Sequence, residues 1–367
     1  MSFSMKVFGA GSIGNHLSNA ARTLGWSVDM CDIDEAALIR AKEDIYPLRY
    51  GAWDEEINLF LVDEAPKKNY DLIFIGTPPD THIKIALEAI KENPKAILIE
   101  KPLCGPDLED LDNLVKTAAQ RGIKLFTGYD HVVGKATSFV EENIQTISAG
   151  NIMTLDVEFR EFWGGIFHAH PWLAGPWESY LGFWEKGGGS LGEHSHAVNL
   201  WQHFAKLLGA GRIIEVQALL DFVQTEKVNY DQVALLNFKT ESGMIGRCVQ
   251  DVVTEPPRKW ARIQYEHGYI EWNCNKEPGI DLVSVKDQAL PEEHVQFLKT
   301  RPDDFIQELK HIHSVVASSE EVDSPISIYK GAETMLVIAA AHLAHQKKCT
   351  VIIDYSQGFI PQALKII

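Results

Sequence analysis

The chain has 367 residues, 45% of them hydrophobic and 23% charged, and its 51 acidic against 34 basic residues leave a formal net charge of -17. That length exceeds a usual single core, so two domains are expected, with the composition of an ordinary globular protein. The negative balance excludes the basic surfaces on which nucleic-acid binding and adhesion to anionic membranes depend, and neither partner is expected.

The first stretch to carry chemistry is Lys6-Val7-Phe8, a short apolar strand that runs into Gly9-Ala10-Gly11-Ser12-Ile13-Gly14. Each glycine answers a steric need of a pyrophosphate cradle. Gly9 turns the chain off the strand, Gly11 lets the backbone approach phosphate oxygens, and Gly14 lets the next helix pack close to the sheet. A helix is predicted from about Ile13 to Thr23, so the backbone of Ser12 and Ile13 and the positive end of the helix dipole would face the phosphates. A second strand, Ser27 to Cys31, ends at Asp32, 18 residues beyond Gly14, where a ribose-binding carboxylate belongs. Such a carboxylate accepts from ribose hydroxyls and repels a 2′-phosphate, which favours NAD over NADP. Asp34 competes for the role but opens the next helix and reads as its N-cap.

The alternation continues with a helix near Asp34 to Glu43 and an aromatic segment, Tyr46 to Leu61, without a legible element. The strand Asp71–Ile75 then leads into Gly76-Thr77-Pro78-Pro79, a loop for the nicotinamide side of a dinucleotide. Asp80 and Thr81 are suited to cap the following helix, whose first turn holds His82; Thr77, Pro78 and His82 are expected among the cofactor contacts. A further strand, Ala96–Ile99, ends at Glu100-Lys101-Pro102, and a helix from about Leu108 to Arg121 precedes a strand at Lys124 to Thr127. This order predicts a Rossmann-type, doubly wound parallel sheet over residues 1–130, with ligands at the carboxyl ends of the strands, where Lys101 lies.

Residues 131–367 are expected to form a second, α+β domain for substrate binding and oligomerisation. A strand over Ile152–Phe162 is followed by an aromatic loop and by a helix from about Ser190 to Leu208. Strands at Ile213–Gln224, Tyr230–Lys239, Met244–Val253, Lys259–Glu266 and Tyr269–Asn273 then predict a mostly antiparallel sheet. Helices near Asp303–Ser318 and Gly331–Gln346 and a strand at Val351–Ile353 close the chain. An open sheet needs one apolar face covered, so a homodimer or homotetramer is expected.

The loop from Trp163 to Trp184 holds four of the nine tryptophans. Stacking on the faces of a sugar ring, packing within the loop, and a subunit interface all account for that density. The pairs His168/His170, His194/His196 and His311/His313 raise a metal site, but residues two apart on a helix do not share a face, and no metal is expected. The five cysteines are scattered without CxxC spacing and read as reduced, mostly buried thiols. The N-terminus enters its first strand too soon for a signal peptide, so a cytoplasmic location is expected. The run Met335–Leu343 is too short to span a bilayer.

Taken together and in order, Gly9-Ala10-Gly11-Ser12-Ile13-Gly14, Gly76-Thr77-Pro78, Glu100-Lys101-Pro102, Gly128-Tyr129-Asp130, and Gly187-Gly188-Gly189 with Glu193-His194-Ser195-His196-Ala197-Val198-Asn199 resemble the Gfo/Idh/MocA oxidoreductases. The resemblance implies an N-terminal Rossmann domain followed by an open-faced antiparallel sheet, and that Lys101 and His196 serve the chemistry. It also places Glu100 and Lys101 near the cofactor, and Tyr129, Asp130, Trp172, Glu193 and Asn199 near the substrate, with Asp130 equally suited to cap the next helix. The implied activity is NAD-dependent hydride transfer between nicotinamide and a secondary hydroxyl, or the matching carbonyl, of a sugar, cyclitol or sugar derivative. Removal of the hydroxyl proton needs a base, for which histidine is suited, and a lysine beside the same oxygen would stabilise developing charge. Glu193, His196 and Asn199 are spaced to share one face of a helix. Many family members carry Asp where Asn199 stands, and Asn where Asp130 stands. Redox-neutral glycoside cleavage on bound NAD and a non-catalytic cofactor sensor are the alternatives.

Overall fold

The computed structural model describes residues 3–288 and 290–367, which form two compact units. The first comprises residues up to 103, Asp110–Asp130 and Arg301–Gly331. Its six strands are β1 (Ser4–Phe8), β2 (Ser27–Asp32), β3 (Ile57–Leu61), β4 (Leu72–Ile75), β5 (Ala96–Ile99) and β6 (Lys124–Thr127), parallel throughout in the order β3-β2-β1-β4-β5-β6. Strands β4 and β5 are buried at every residue, because helices cover both faces of such a sheet and leave no place for alternation. The helices are α1 (Ser12–Thr23), α2 (Glu35–Arg40), α3 (Tyr46–Tyr50), α4 (Pro79–Ala89) and α5 (Leu111–Arg121), with a π turn at Ala41–Ile45 joining α2 to α3.

Two expectations change here. The segment left unread contains α3 and the edge strand β3, an apolar run broken at Asn58 that is only partly buried because it lies at the rim of the sheet. The division of the chain is also not a single cut after residue 130. Residues 104–109 group with the second unit, and helix α10 (Arg301–Ala317) returns to the first, packing on α1 with Phe305 stacked on His16 at 4.8 Å between ring centroids. Its buried Phe305, Leu309 and Ile312 supply a face that α1 needs. Beyond it, Thr127 N donates to Ile326 O at 2.8 Å and so closes the free edge of β6.

The second unit comprises Cys104–Glu109, His131–Thr300 and Ala332–Ile367. Helices α6 (Lys135–Thr146), α7 (Gly164–Ala169), α8 (Gly189–Glu193) and α9 (His196–Leu207) accompany ten strands. These are β7 (Ile152–Arg160), β8 (Ile213–Gln224), β9 (Asn229–Thr240), β10 (Ile245–Asp251), β11 (Arg258–Tyr265), β12 (Gly268–Glu277), β13 (Ile280–Asp287), β14 (Glu293–Leu298), β15 (Val351–Ile353) and β16 (Leu364–Ile366). They form one sheet, β14-β13-β12-β11-β7-β10-β9-β8-β15-β16, antiparallel except for the pair β7 and β10. The hairpin partners β13 and β14 were not foreseen, because charged and polar residues such as Glu293, His294 and Gln296 interrupt their apolar pattern.

On β7 the buried residues Leu155, Val157 and Phe159 alternate with partly exposed ones, so one face carries the core. Helix α9 lies on that face: Trp201 is fully buried and donates its indole N–H to Leu155 O at 3.0 Å. The other face is mixed: Lys239 pairs with Glu215 at 2.7 Å and Arg247 with Asp156 at 3.2 Å, and Leu219, Leu235 and Ile245 are exposed among them. Helix α11 (Ile328–Lys347) buries Met335, Leu336, Val337 and Ile338 side by side, so it is enclosed on all sides there, with Thr334 and His342 buried on the same helix. Among the described residues, no helix is long and apolar enough to cross a membrane.

Glu308 on α10 is a carboxyl at 2% exposure. Burial first, and then the negative charges of Asp130, Glu100 and Asp304, push its proton affinity well above the usual carboxylate range. The folded chain therefore holds a proton that the unfolded chain releases, and stability falls as pH rises above the ordinary glutamate range. In Glu308→Gln that fall is removed: melting temperatures recorded from about pH 4 to about pH 8 decline less than in the parent. Trp201→Ala leaves a cavity beneath α9 and a bare carbonyl on β7, and denaturant titration is expected to show a loss of about 3–5 kcal/mol.

Candidate active site

The glycine turn joins β1 to α1 under tight constraint. Gly9 has φ +101°, and a Cβ there would lie 2.8 Å from Gly76 O. A Cβ on Gly14 would lie 2.0 Å from Gly9 O, so a side chain at Gly14 pushes α1 from β1, and one at Gly9 pushes the turn from the end of β4. Gly11 differs: a Cβ there meets no protein atom within 4 Å, and the space belongs to whatever the turn holds. Helix α1 has no side-chain cap and no acidic residue in its first turn, which leaves the N–H groups at its start, Ser12 and Ile13 included, for an anion. Asn15 was not singled out in the sequence. It is fully buried and donates to Ala10 O at 3.0 Å and to Gly11 O at 2.8 Å, holding the turn in shape.

Asp32 ends β2 beside this turn, with Oδ2 accepting from Ala10 N at 2.8 Å and Oδ1 from Asp34 N at 3.0 Å. Asp34 is the N-cap of α2, accepting from Ala36 N at 3.0 Å, as its position suggested. A turn shaped for phosphate with a carboxylate at the end of the neighbouring strand fits a dinucleotide with a free ribose.

At the end of β4, Thr77 and Thr81 share a hydroxyl hydrogen bond of 2.7 Å, and Thr81 Oγ1 also donates to Pro78 O. Helix α4 starts at Pro79 with exposed Pro78 as its N-cap, so the diproline rather than Asp80 or Thr81 opens it. His82 is not turned to a ligand. It is fully buried, with Nε2 2.6 Å from Thr77 O and Nδ1 3.1 Å from Pro102 O, and burial pushes the imidazole down to about 4. Its ring ties the Thr77 loop to the segment that follows Lys101.

Glu100 and Lys101 directly follow β5, at the same carboxyl edge as the glycine turn, because β5 neighbours β4 and β4 neighbours β1. Gly128 at the end of β6 gives Glu100 its room: a Cβ there would meet Glu100 Oε2 at 2.5 Å. Tyr129 is fully buried, so its side chain serves packing; the turn that opens with Asp130 follows.

In the second unit the expected continuous helix is broken. Helix α8 ends at Glu193 and α9 starts at His196, with His194 and Ser195 between them. Glu193 and His196 therefore belong to two helices, and their alignment on one helix face does not hold. Asn199 does not face a ligand either: it is 2% exposed and donates to Thr334 Oγ1 at 3.3 Å, which in turn donates to Gln202 at 2.8 Å. The neutral amide serves packing between α9 and α11.

His196 is half-buried in an aromatic setting. His131 meets it edge-on at 4.7 Å, Phe159 lies nearly parallel at 6.3 Å, and Trp272 stacks behind Phe159 at 6.0 Å. His131 was missed, although it directly follows the Gly-Tyr-Asp motif. In the aromatic loop, Trp163 is packed with Leu181, Val252 and Tyr230, while Trp172 is half-buried against His170. His168 is exposed on α7.

No curated protein matches the sequence. Among solved structures, the fold is similar to an NAD-binding oxidoreductase from Klebsiella pneumoniae, at 15% identity and TM-score 0.74, over 96% of this chain and 99% of that one. It is similar to levoglucosan dehydrogenase in complex with NADH and L-sorbose, at 16% and 0.76, over 96% and 99%. It is also similar to the UDP-N-acetylglucosamine 3-dehydrogenase from Acidithiobacillus ferrooxidans, at 16% and 0.70, over 95% and 98%. Residues 3–129 match the family described as an oxidoreductase family with an NAD-binding Rossmann fold, GFO_IDH_MocA. That match covers about the first third of the chain, which is there similar to the NAD-binding domain of the Gfo/Idh/MocA oxidoreductases.

Proposed function

We propose that the protein is a dehydrogenase that oxidises a secondary hydroxyl of a sugar, cyclitol or sugar derivative, or reduces the matching carbonyl. The observation that carries this reading is the position of Lys101. It lies at the carboxyl edge of the sheet that forms the NAD cradle, two strands from the glycine turn. Similarity of fold to a levoglucosan dehydrogenase and a UDP-N-acetylglucosamine 3-dehydrogenase supports a carbohydrate-like substrate.

NAD, when bound, supplies the hydride acceptor. The chain's own groups do the rest. His196 takes the hydroxyl proton as the carbonyl forms, and Lys101 donates a hydrogen bond to the same oxygen, stabilising its developing charge. The main chain of Gly9 to Gly14 would hold the pyrophosphate, Asp32 would accept from the ribose hydroxyls, and Thr77 and Pro78 would contact the nicotinamide side. Glu193, Asp130 and Trp172 are assigned to the substrate, with Trp172 offering an aromatic face to a sugar ring. Cytoplasmic location and assembly as a dimer or tetramer through the outer face of the ten-stranded sheet, where Leu219, Leu235 and Ile245 are exposed, complete the proposal.

The test is nicotinamide absorbance as the purified protein, given NAD, meets inositols, free sugars and nucleotide sugars. NADH formed with one subclass, and lost by about 10²-fold or more in Lys101→Ala and in His196→Ala, is the expected result. Substrate cleavage without net NADH would replace the reading with redox-neutral chemistry, and parental turnover in Lys101→Ala would remove that residue from the mechanism. Asp32→Ala is expected to narrow the preference for NAD over NADP in paired binding titrations, since both an acceptor and a repelling charge are lost.

A further inference from the structure

The segment that leads to His196 is gripped by the sheet beneath it. Strand β9 carries one residue more than β8 at their far end: Asp221 pairs with Val233 and Phe222 with Asp231, which leaves Gln232 over. Elsewhere on β9 the residues buried on the covered face are Ala234, Leu236 and Phe238. An unbroken strand would continue that row with Gln232. The bulge shifts the phase by one, and Asp231 turns inward with no exposure at all.

There Asp231 Oδ2 accepts from Leu191 N at 2.8 Å and from Ser190 Oγ at 2.6 Å, at the start of the five-residue helix α8. Gln250 on β10, also fully buried, donates to Ser190 O at 3.1 Å. The fit is tight on every side. A Cβ on Gly189 would come 2.1 Å from Asp231 Oδ1, one on Gly188 2.2 Å from Tyr180 O, and one on Gly192 1.9 Å from Gly187 O. The glycine run is thus a packing requirement of the grip.

The grip is wired to the next helix through the main chain. Ser190 O, held by Gln250, also accepts from His194 N at 3.0 Å, and His194 O accepts from Ala197 N at 2.8 Å in the first turn of α9. Burial pushes the Asp231 carboxyl up to about 7, against the pull of the Ser190 hydroxyl and the Leu191 amide. A carboxyl kept in such a place costs stability, so its value lies in the geometry it imposes.

We propose that Asp231 and Gln250 are positioning residues that set the place of the His196 ring through the first turn of α8, an inference that rests on the proposed role of His196 in proton transfer. The test uses the full chain with NADH bound. The Cε1–H resonance of His196, assigned by its loss in His196→Ala, senses the ring currents of His131 and Phe159. It is expected to move in Asp231→Ala and in Gln250→Ala, and to return toward the parental position in Asp231→Asn, which keeps an acceptor oxygen.

With the sugar identified by the nicotinamide assay, Asp231→Ala and Gln250→Ala are expected to lose kcat by roughly 10- to 100-fold while NADH affinity stays parental. Should Asp231→Ala not fold, Gln250→Ala and Asp231→Asn carry the test. Unmoved resonances with parental kcat overturn the proposal. His196→Ala with parental turnover overturns the catalytic reading and this proposal together, whereas inactive His196→Ala beside fully active Asp231→Ala and Gln250→Ala overturns the grip alone.

Discussion

The closest constraint in the cofactor-binding unit is the approach of α1 to β1, where the space for a Cβ on Gly14 is already filled by Gly9 O at 2.0 Å. Because the helix starts so near the strand end, its N–H groups point into the one part of the turn left open, over Gly11. Everything else at that edge is arranged around this turn. Gly76 N donates to Phe8 O, Asp32 accepts from Ala10 N, and Asn15 holds the carbonyls of Ala10 and Gly11. The anion-binding character of the site is therefore made of backbone, which explains how a chain so rich in acidic residues can present a cradle for phosphate without a lysine or arginine in the motif.

Features written in backbone geometry and apolar runs were legible in the sequence. The glycine spacing, the buried strands β1, β2, β4, β5 and β6, and the cap at Asp34 each follow from local rules, and the structure holds them within a residue or two. Features written in tertiary pairing were not. His82 looked like a ligand contact because it follows the diproline loop; only the fold shows both of its ring nitrogens occupied by main-chain carbonyls. Glu193 looked aligned with His196 because a helical period joined them, but the period ran through a break at His194 and Ser195 that no residue type there announces, and Asn199, expected at the substrate from the family resemblance, is bonded to Thr334 instead. Asp231 lies in an ordinary strand pattern, and a single surplus residue determines which way it faces.

The second unit uses buried polar groups in a different manner from the first. Asp231, Gln250, Asn199, Thr334 and Gln202 are enclosed where helices meet the sheet or one another, and each hydrogen bond they make fixes one register. Apolar contacts alone tolerate sliding by a fraction of an ångström; such pairs do not. A half-buried imidazole, framed by His131 and Phe159, sits on a scaffold of this kind.

The return of Arg301–Gly331 to the cofactor-binding unit bears on how the chain is made. Until α10 emerges from the ribosome, the face of α1 that it covers, His16 included, lacks that cover, and until Ile326 emerges, the backbone of β6 is an open strand edge. The nucleotide-binding sheet, although encoded at the start, is completed only by residues near the end of the chain. The two units therefore cannot mature one after the other, and a nascent chain spends most of its synthesis with an unfinished first unit exposed to premature pairing.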